Sequence, residues 1–205
     1  GNWEHATPDK IVTWVESHDT YFNGHESGWM SDWQIRMAWA AITARAGGTP
    51  LFFSRPDGSN GSQGNYVGNN VLGAKGNDQF KDPEVKAVNK FRNAMVGQKE
   101  YLRNPNGNNQ ILQIDRGTKG TCIINLGDGT DINSETTMAD GSYKDQVSGN
   151  TFTVSGGKIS GKLEGGKVAC IYNPTTSGSS SGDTSDGSSS GGSSSGGSSS
   201  GGSSS

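Results

Sequence analysis

The sequence predicts two strand–helix units of a parallel α/β architecture, followed by an antiparallel β domain and a structureless Ser/Gly tail. Three observations carry this. Continuous apolar runs at 11–15 ("IVTWV") and 49–54 ("TPLFFS") each lead towards a stretch with helical periodicity, the pattern of strands covered on both faces. Beyond residue 98 the pattern becomes short alternating runs separated by "NPNGNN", "DRGTKG", "LGDGT", "ADGS" and "SGGK", which is the turn chemistry of hairpins. From about Thr175 onward only Gly, Ser, Thr and Asp remain, ending in repeats of "GGSSS". Such a segment has no apolar area to offset the entropy lost on folding, and it reads as a flexible linker. The divisions that follow are 1–97, 98–173 and 174–205.

Each element has a local cause. The first strand, Ile11 to Val15, turns without a break into Glu16, Ser17, His18 and Asp19. Ser31 with Gln34 forms a capping box for a helix whose apolar face is Trp33, Ile35, Met37, Ala38, Trp39, Ala41 and Ile42, and Gly47-Gly48 ends it. The second strand, "TPLFFS", leads into a Gly- and Asn-rich loop over 57–79. Asp82 at the N-cap and Pro83 at the first helical position open a second helix. Its Val85, Val88, Phe91 and Met95 share one face, and Gly97 closes it. Two such units cannot stand alone, because each parallel strand would keep an unpaired edge and a bare apolar face. Further strands are expected upstream, in an eight-stranded barrel of about 250 residues or a doubly wound sheet.

Composition excludes several function classes. The 205 residues carry a net charge of −3, with Lys and Arg scattered along the chain, so the basic footprint of a nucleic-acid or anionic-membrane binder is missing. No apolar run approaches the roughly 18 residues of a membrane span, and none has the pattern of a secretory signal. The first residue is Gly, so the sequence is expected to be a piece of a longer chain. Residues 1–173 hold all five Trp, enough for a real core. Cys122 and Cys170 each sit in a strand-like run ("TCIINL", "VACIYN"). Two strands of one sheet could bring them within bonding distance, and a disulfide and a pair of buried thiols are both open readings.

In either α/β architecture ligands bind beyond the carboxyl ends of the parallel strands, where Glu16-Ser17-His18-Asp19 falls. A solvated polar loop is the plain alternative. A metal site using His5, His18, Asp19 and His25 matches no helical ligand pair or zinc spacing. Recognition of a polyhydroxyl compound fits better: a carboxylate accepts from two vicinal hydroxyls while an imidazole N–H donates to one.

"IVTWVESHDTY", "SDWQIRMAWAAITARAGGTPLFFSRP", "VNKFRNAMVGQ" and "NPNGNNQI" together resemble the carboxyl-terminal half of secreted bacterial alpha-amylases, members of the starch-acting glycoside hydrolase family. The likeness runs from about residue 8 to 173 with the blocks in order. It implies that the strand ending in "HD" is the seventh of a (β/α)8 TIM barrel, that "TPLFFS" is the eighth, and that 98–173 is the β-sandwich following the barrel. It further implies that Asp19 is the catalytic carboxylate that stabilises the transition state and that His18 binds the same glucose unit. The nucleophile and the acid/base carboxylate belong to earlier strands, so the isolated chain is expected to be inactive. Tyr21 and Trp29 are candidates to stack on glucose rings, with packing of the loop as the alternative. Glu16 could line the cleft, but an ion pair with an arginine of the barrel rim is the expectation; Arg55 is a candidate partner for a site carboxylate, with a purely structural salt bridge as the alternative.

The resemblance implies calcium as a structural cofactor, with ligands outside this segment; Asp57 and Asn60 in the long loop lack the ligand density of a calcium site. It implies starch and maltooligosaccharides as partners, an extracellular location, and a monomer with a further module, such as a carbohydrate-binding one, after the linker. A noncatalytic carbohydrate-binding or spacer module is the competing reading, and a related starch-acting glycosidase or transglycosylase is another.

Overall fold

The computed structural model describes residues 7–22, 26–59 and 71–175. The expected linker from Thr176 onward, with His5, His25 and Asn60, lies outside the described residues.

The first strand, β1 (Val12–Thr13), pairs in parallel with β2 (Thr49–Pro50), Val12 opposite Thr49 and Thr13 opposite Pro50. Two strand-like runs were expected to be long and buried on both faces. They are instead two residues each, and Val12 and Trp14 are 53% and 51% exposed. The cause is pairing: among the described residues each strand has one hydrogen-bonded neighbour. The outer edges and the apolar side chains of Ile11, Trp14 and Leu51 therefore remain exposed.

Helix α1 (His18–Phe22) follows β1 directly, and α2 (Asp32–Thr43) then runs back alongside. The Ser31 hydroxyl accepts from Gln34 N at 3.2 Å, and Gln34 Oε1 accepts from Ser31 N at 2.8 Å, which is the reciprocal cap read from the sequence. The return into β2 needs glycine at 48. Its φ is +74°, and a Cβ there would stand 2.9 Å from the Thr13 methyl of β1, so the tight approach of loop to strand excludes a side chain. Helix α3 (Pro83–Ala94) begins with Asp82 Oδ1 accepting from Glu84 N at 2.8 Å, and buries Val85, Val88 and Phe91.

Eight strands follow: β3 (Glu100–Arg103), β4 (Ile111–Arg116), β5 (Gly120–Asn125), β6 (Thr130–Glu135), β7 (Gly141–Asp145), β8 (Thr151–Ser155), β9 (Lys158–Leu163) and β10 (Val168–Pro174). They form one antiparallel sheet in the order β3-β4-β5-β10-β7-β8-β9-β6. A sandwich would divide these strands between two sheets. Here the last strand joins the halves, because β10 pairs with β5 over Val168 to Tyr172 and with β7 at Ile171 and Pro174, across a register shift. Such an irregularity lets a strand bend and change neighbours.

The sheet curls until its edges nearly meet. Arg103 on β3 reaches Glu135 on β6 at 3.2 Å, and Gln113 Nε2 on β4 donates to Glu135 O at 2.9 Å. At this seam Asp115 is fully buried and accepts from Gln113, Thr136 Oγ1, Arg103 Nε and Thr137 N, so its charge is compensated on all sides. Inside the curl lie Ile111, Ile123, Ile132, Phe152, Ile159, Leu163 and Ile171. The opposite faces of β4, β5 and β10 carry Ile114, Cys122, Ile124, Val168 and Cys170 against Met37, Ala40, Val88 and Phe91 of α2 and α3. Every residue of β5 is therefore buried.

Two arginines tie the helices to the sheet. Helix ends leave carbonyls without intrahelical partners. Arg116 at the end of β4 donates to Ala44 O (2.9 Å), Arg45 O (3.0 Å) and Met95 O (2.9 Å), at the carboxyl ends of α2 and α3. Arg92 of α3 donates to Thr43 O, Arg45 O and Gly48 O. A third link is Arg45 with Glu100, paired at 2.7 to 3.0 Å, with Ala46 N on the same carboxylate.

The hydrogen bonds from Arg45 hold the Glu100 carboxyl below its ordinary pKa of 4.5, against the opposing effect of burial. The folded state thus binds this proton less tightly than the unfolded one. The pair stabilises the fold above pH 4.5, and that contribution is lost as the pH falls through the lower folded value. Glu100→Gln is expected to lower stability at neutral pH by about 1 kcal/mol or less, since the pair is partly solvated. It should also flatten the acid limb of a Tm-against-pH curve; an unchanged acid limb would contradict this assignment.

Candidate active site

The site is built where β1 ends. Ser17 and Thr20 cap each other: Thr20 Oγ1 accepts from Ser17 N at 2.9 Å, and Ser17 Oγ accepts from Thr20 N at 3.4 Å. Tyr21 N donates to Ser17 O at 3.0 Å. This local exchange starts a helical turn at His18 and separates the neighbouring polar residues. Glu16 and Tyr21 turn inward, while His18 and Asp19 turn outward.

The inward half is a closed polar cluster. Arg55, which follows the β2 run, and Glu16 each have a side chain only 2% exposed. Arg55 Nε donates to Glu16 Oε1 at 2.7 Å and Nη2 donates to Glu16 Oε2 at 2.9 Å, the planar two-point match that suits guanidinium to carboxylate. The remaining donors go to Met30 O at 2.8 Å and Ser27 O at 2.9 Å, and Ser27 Oγ donates to Glu16 Oε2 at 3.0 Å. The guanidinium also lies 5.0 Å from the centre of the Tyr21 ring. Both buried charges are thus paired and hydrogen-bonded, the condition under which ions survive out of water. The arginine partner expected for Glu16 is present, and it is Arg55.

The outward half is open. The side chains of His18 and Asp19 are 73% and 76% exposed, with Nε2 and Oδ1 3.2 Å apart. They stand on a cleft of about 430 Å³ that Trp14, Ser17, Phe52 and Phe53 also line. Two side chains this exposed are held to each other only weakly, so both groups are free to rearrange onto a ligand. Together they offer carboxylate acceptors and an imidazole donor beside apolar and aromatic surface, which suits a compound with hydroxyl edges and C–H faces.

Tyr21 is corrected. It is 1% exposed and packs against Phe22, Phe53 and the guanidinium, so no face of its ring is presented to a sugar. In an extended chain Tyr21 would point the same way as Asp19. In a helical turn, two residues rotate a side chain by about 200°. Trp29, by contrast, is exposed, and its indole N–H is held on Glu26 O at 2.9 Å. Sequence reasoning missed Ser27 and the carbonyl of Met30 as partners of Arg55, and no local pattern marks them. It also missed Phe52 and Phe53 as cleft residues, although both stand in the run read as a strand.

Among the described residues no three His, Cys, Asp or Glu side chains gather as metal ligands.

No protein-family model matches the chain. It is 46% identical over 189 residues to an alpha-amylase of Butyrivibrio fibrisolvens, a match covering 82% of this chain and 19% of that protein. It is 40% identical over 173 residues to an alpha-amylase of Clostridium acetobutylicum, covering 84% and 21%. The chain therefore spans about a fifth of the length of these relatives. Among solved structures, alpha-amylase I of Eisenia fetida superposes with a TM-score of 0.60 at 18% identity, over 80% of this chain and 41% of that one. A variant of that enzyme in complex with maltohexaose superposes with a TM-score of 0.58 at 17% identity, over 79% and 41%. At such identities the likeness speaks for the fold alone.

Proposed function

We propose that this chain, homologous to a segment of bacterial alpha-amylases, supplies one carboxylate and one imidazole to a site that hydrolyses α-1,4-glucosidic bonds in starch and maltooligosaccharides. The observation that carries the reading is the placement of Asp19 and His18. Both are exposed on a cleft at the carboxyl end of a parallel strand, the end at which α/β barrels build their sites. The outer edges of β1 and β2, unpaired among the described residues, support a companion proposal: these are two strands of a (β/α)8 barrel whose other strands would pair with them and cover Ile11.

On this reading the reaction is a retaining glycoside hydrolysis. A nucleophilic carboxylate and an acid/base carboxylate from outside this chain do the covalent work. Asp19 accepts hydrogen bonds from two neighbouring hydroxyls of the sugar whose bond breaks. As the anomeric centre gains positive charge, those hydroxyls become better donors and the bonds to the carboxylate strengthen. That difference between ground state and transition state lowers the barrier. His18 donates to a hydroxyl of the same unit in both states, and so contributes to binding more than to turnover. Glu16 and Arg55 act at one remove, as positioning residues that hold the strand end and the 26–30 segment beneath them.

The experiment is a kinetic split in the longer enzyme to which we assign the chain. With a maltooligosaccharide substrate, His18→Ala is expected to raise KM about tenfold, the worth of one hydrogen bond, with a smaller change in kcat. A variant with unaltered KM and kcat would remove His18 from the site.

A further inference from the structure

The two cysteines lie on β5 and β10 of the antiparallel sheet, away from the site, and they face each other. In the pairing of β5 with β10, Cys122 is directly opposite Cys170. The phase of the ladder follows from Asn125 N donating to Lys167 O at 3.0 Å. Opposed pairs alternate between hydrogen-bonded and non-hydrogen-bonded positions, and counting back from that pair places Cys122 and Cys170 at a non-hydrogen-bonded one. The backbone of Cys170 agrees: its N–H goes to Asp145 Oδ1 at 2.7 Å, and its carbonyl accepts from Gln146 N at 2.9 Å, both away from β5. At such positions the two Cα atoms approach to about 4.5 Å and the side chains sit on one face. That separation falls at the short end of the range a disulfide spans, about 4.4–6.8 Å. Both residues are free thiols in this structure and fully buried.

We propose that Cys122 and Cys170 are an oxidisable cross-strand pair, forming a disulfide that joins β5 to β10 when the sheet assembles in an oxidising medium. The oxidant is a low-molecular-weight disulfide of the oxidised-glutathione class. One cysteine thiolate attacks it, expelling one small thiol and leaving a mixed disulfide. The second thiolate attacks the protein sulfur of that mixed disulfide, expels the second small thiol and closes the S–S bond. Each cysteine loses its proton, and the two electrons leave on the two released thiols.

The surroundings decide when this happens. Cys122 and Cys170 belong to the core cluster covered by Val88, Phe91 and Met95 at α3 and its end. Contact with Cys122 and burial push the Cys170 thiol well above its ordinary pKa, and a thiol that stays protonated is a poor nucleophile. Exchange therefore belongs to the stage at which β5 and β10 have paired and the helices have not yet covered them. After docking, the redox state is locked in either form. The closed ring would hold β6 to β9, most of the β domain, and restrict its unfolded states. The expected gain is about 30- to 1,000-fold in the unfolding constant, reduced by any strain from the short separation.

The test is refolding of the whole chain from guanidinium in a glutathione redox buffer, followed by acid quench, alkylation and peptide mapping without reductant. Expected is a linked Cys122–Cys170 peptide in native buffer, with at least tenfold less when the same redox buffer contains guanidinium. Two results overturn the proposal. One is full alkylation of both cysteines after refolding. The other is equal linkage with and without guanidinium, which would assign the bond to chain proximity and not to the register of the sheet.

Discussion

Replacing Asp19 by Asn in the longer enzyme is expected to lower kcat on maltooligosaccharides by about 10²–10³-fold, with KM changed far less. Asparagine keeps the shape and one acceptor oxygen, so substrate still docks. On the proposed role it loses the negative charge whose hydrogen bonds would tighten as the glycosidic bond opens. Loss of one preorganised group aimed at developing charge typically removes about 3–4 kcal/mol of transition-state stabilisation, and a loss felt only in the transition state appears in kcat. Folding should be untouched, because the Asp19 side chain is 76% exposed and, among the described residues, its ion contact is with His18. Identical thermal melts for variant and parent separate the catalytic effect from a structural one. Turnover at the parental rate would remove Asp19 from the reaction.

The second large effect lies beneath the site. Arg55→Met is expected to destabilise the fold by about 3–5 kcal/mol, the usual result of leaving a buried carboxylate without its partner. Glu16 would lose both guanidinium bonds, and the carbonyls of Ser27 and Met30 would lose their donors. The double variant Glu16→Leu with Arg55→Met should recover part of the loss, because it removes the stranded charge. Recovery should be incomplete, since the two carbonyls remain unpaired. A double-mutant cycle by urea denaturation reads this directly. A single-variant cost below about 1 kcal/mol would mean the pair is solvated like a surface salt bridge.

What the sequence revealed and what it hid divides along the range of the interactions. Ser31 with Gln34, and Asp82 with Pro83, were legible because a cap is decided within four residues. The turns between β strands were legible for the same reason; Gly156 and Gly157, with φ of +57° and +77°, make the tight turn from β8 to β9. The exposure of His18 and Asp19 followed from their place at a strand end. Tyr21 went wrong because Ser17 and Thr20 start a helical turn at His18, two residues after Glu16, which reverses the side on which position 21 emerges.

Long-range features left no trace. Arg116 looks like an ordinary β-strand arginine, and its partners Ala44 and Met95 are 72 and 21 residues away in sequence. Strand β5 was placed in an antiparallel domain, where one solvated face is common, yet α2 and α3 cover its outer face and bury it throughout. The joining of the expected sandwich into one curled sheet depends on where β10 inserts, which no local pattern encodes. The short, exposed β1 and β2 are the reverse case. Their apolar sequence specifies burial that their neighbours among the described residues do not provide.

The most direct measurement is a crystal structure of the longer enzyme, slowed by substitution of its acid/base carboxylate, with a maltooligosaccharide bound across the cleft. Expected is one glucose ring with two adjacent hydroxyls within hydrogen-bond distance of the Asp19 carboxylate and a third partner in His18 Nε2. A sugar chain that bypasses the end of β1, or an Asp19 side chain directed away from every ring, would contradict the assignment.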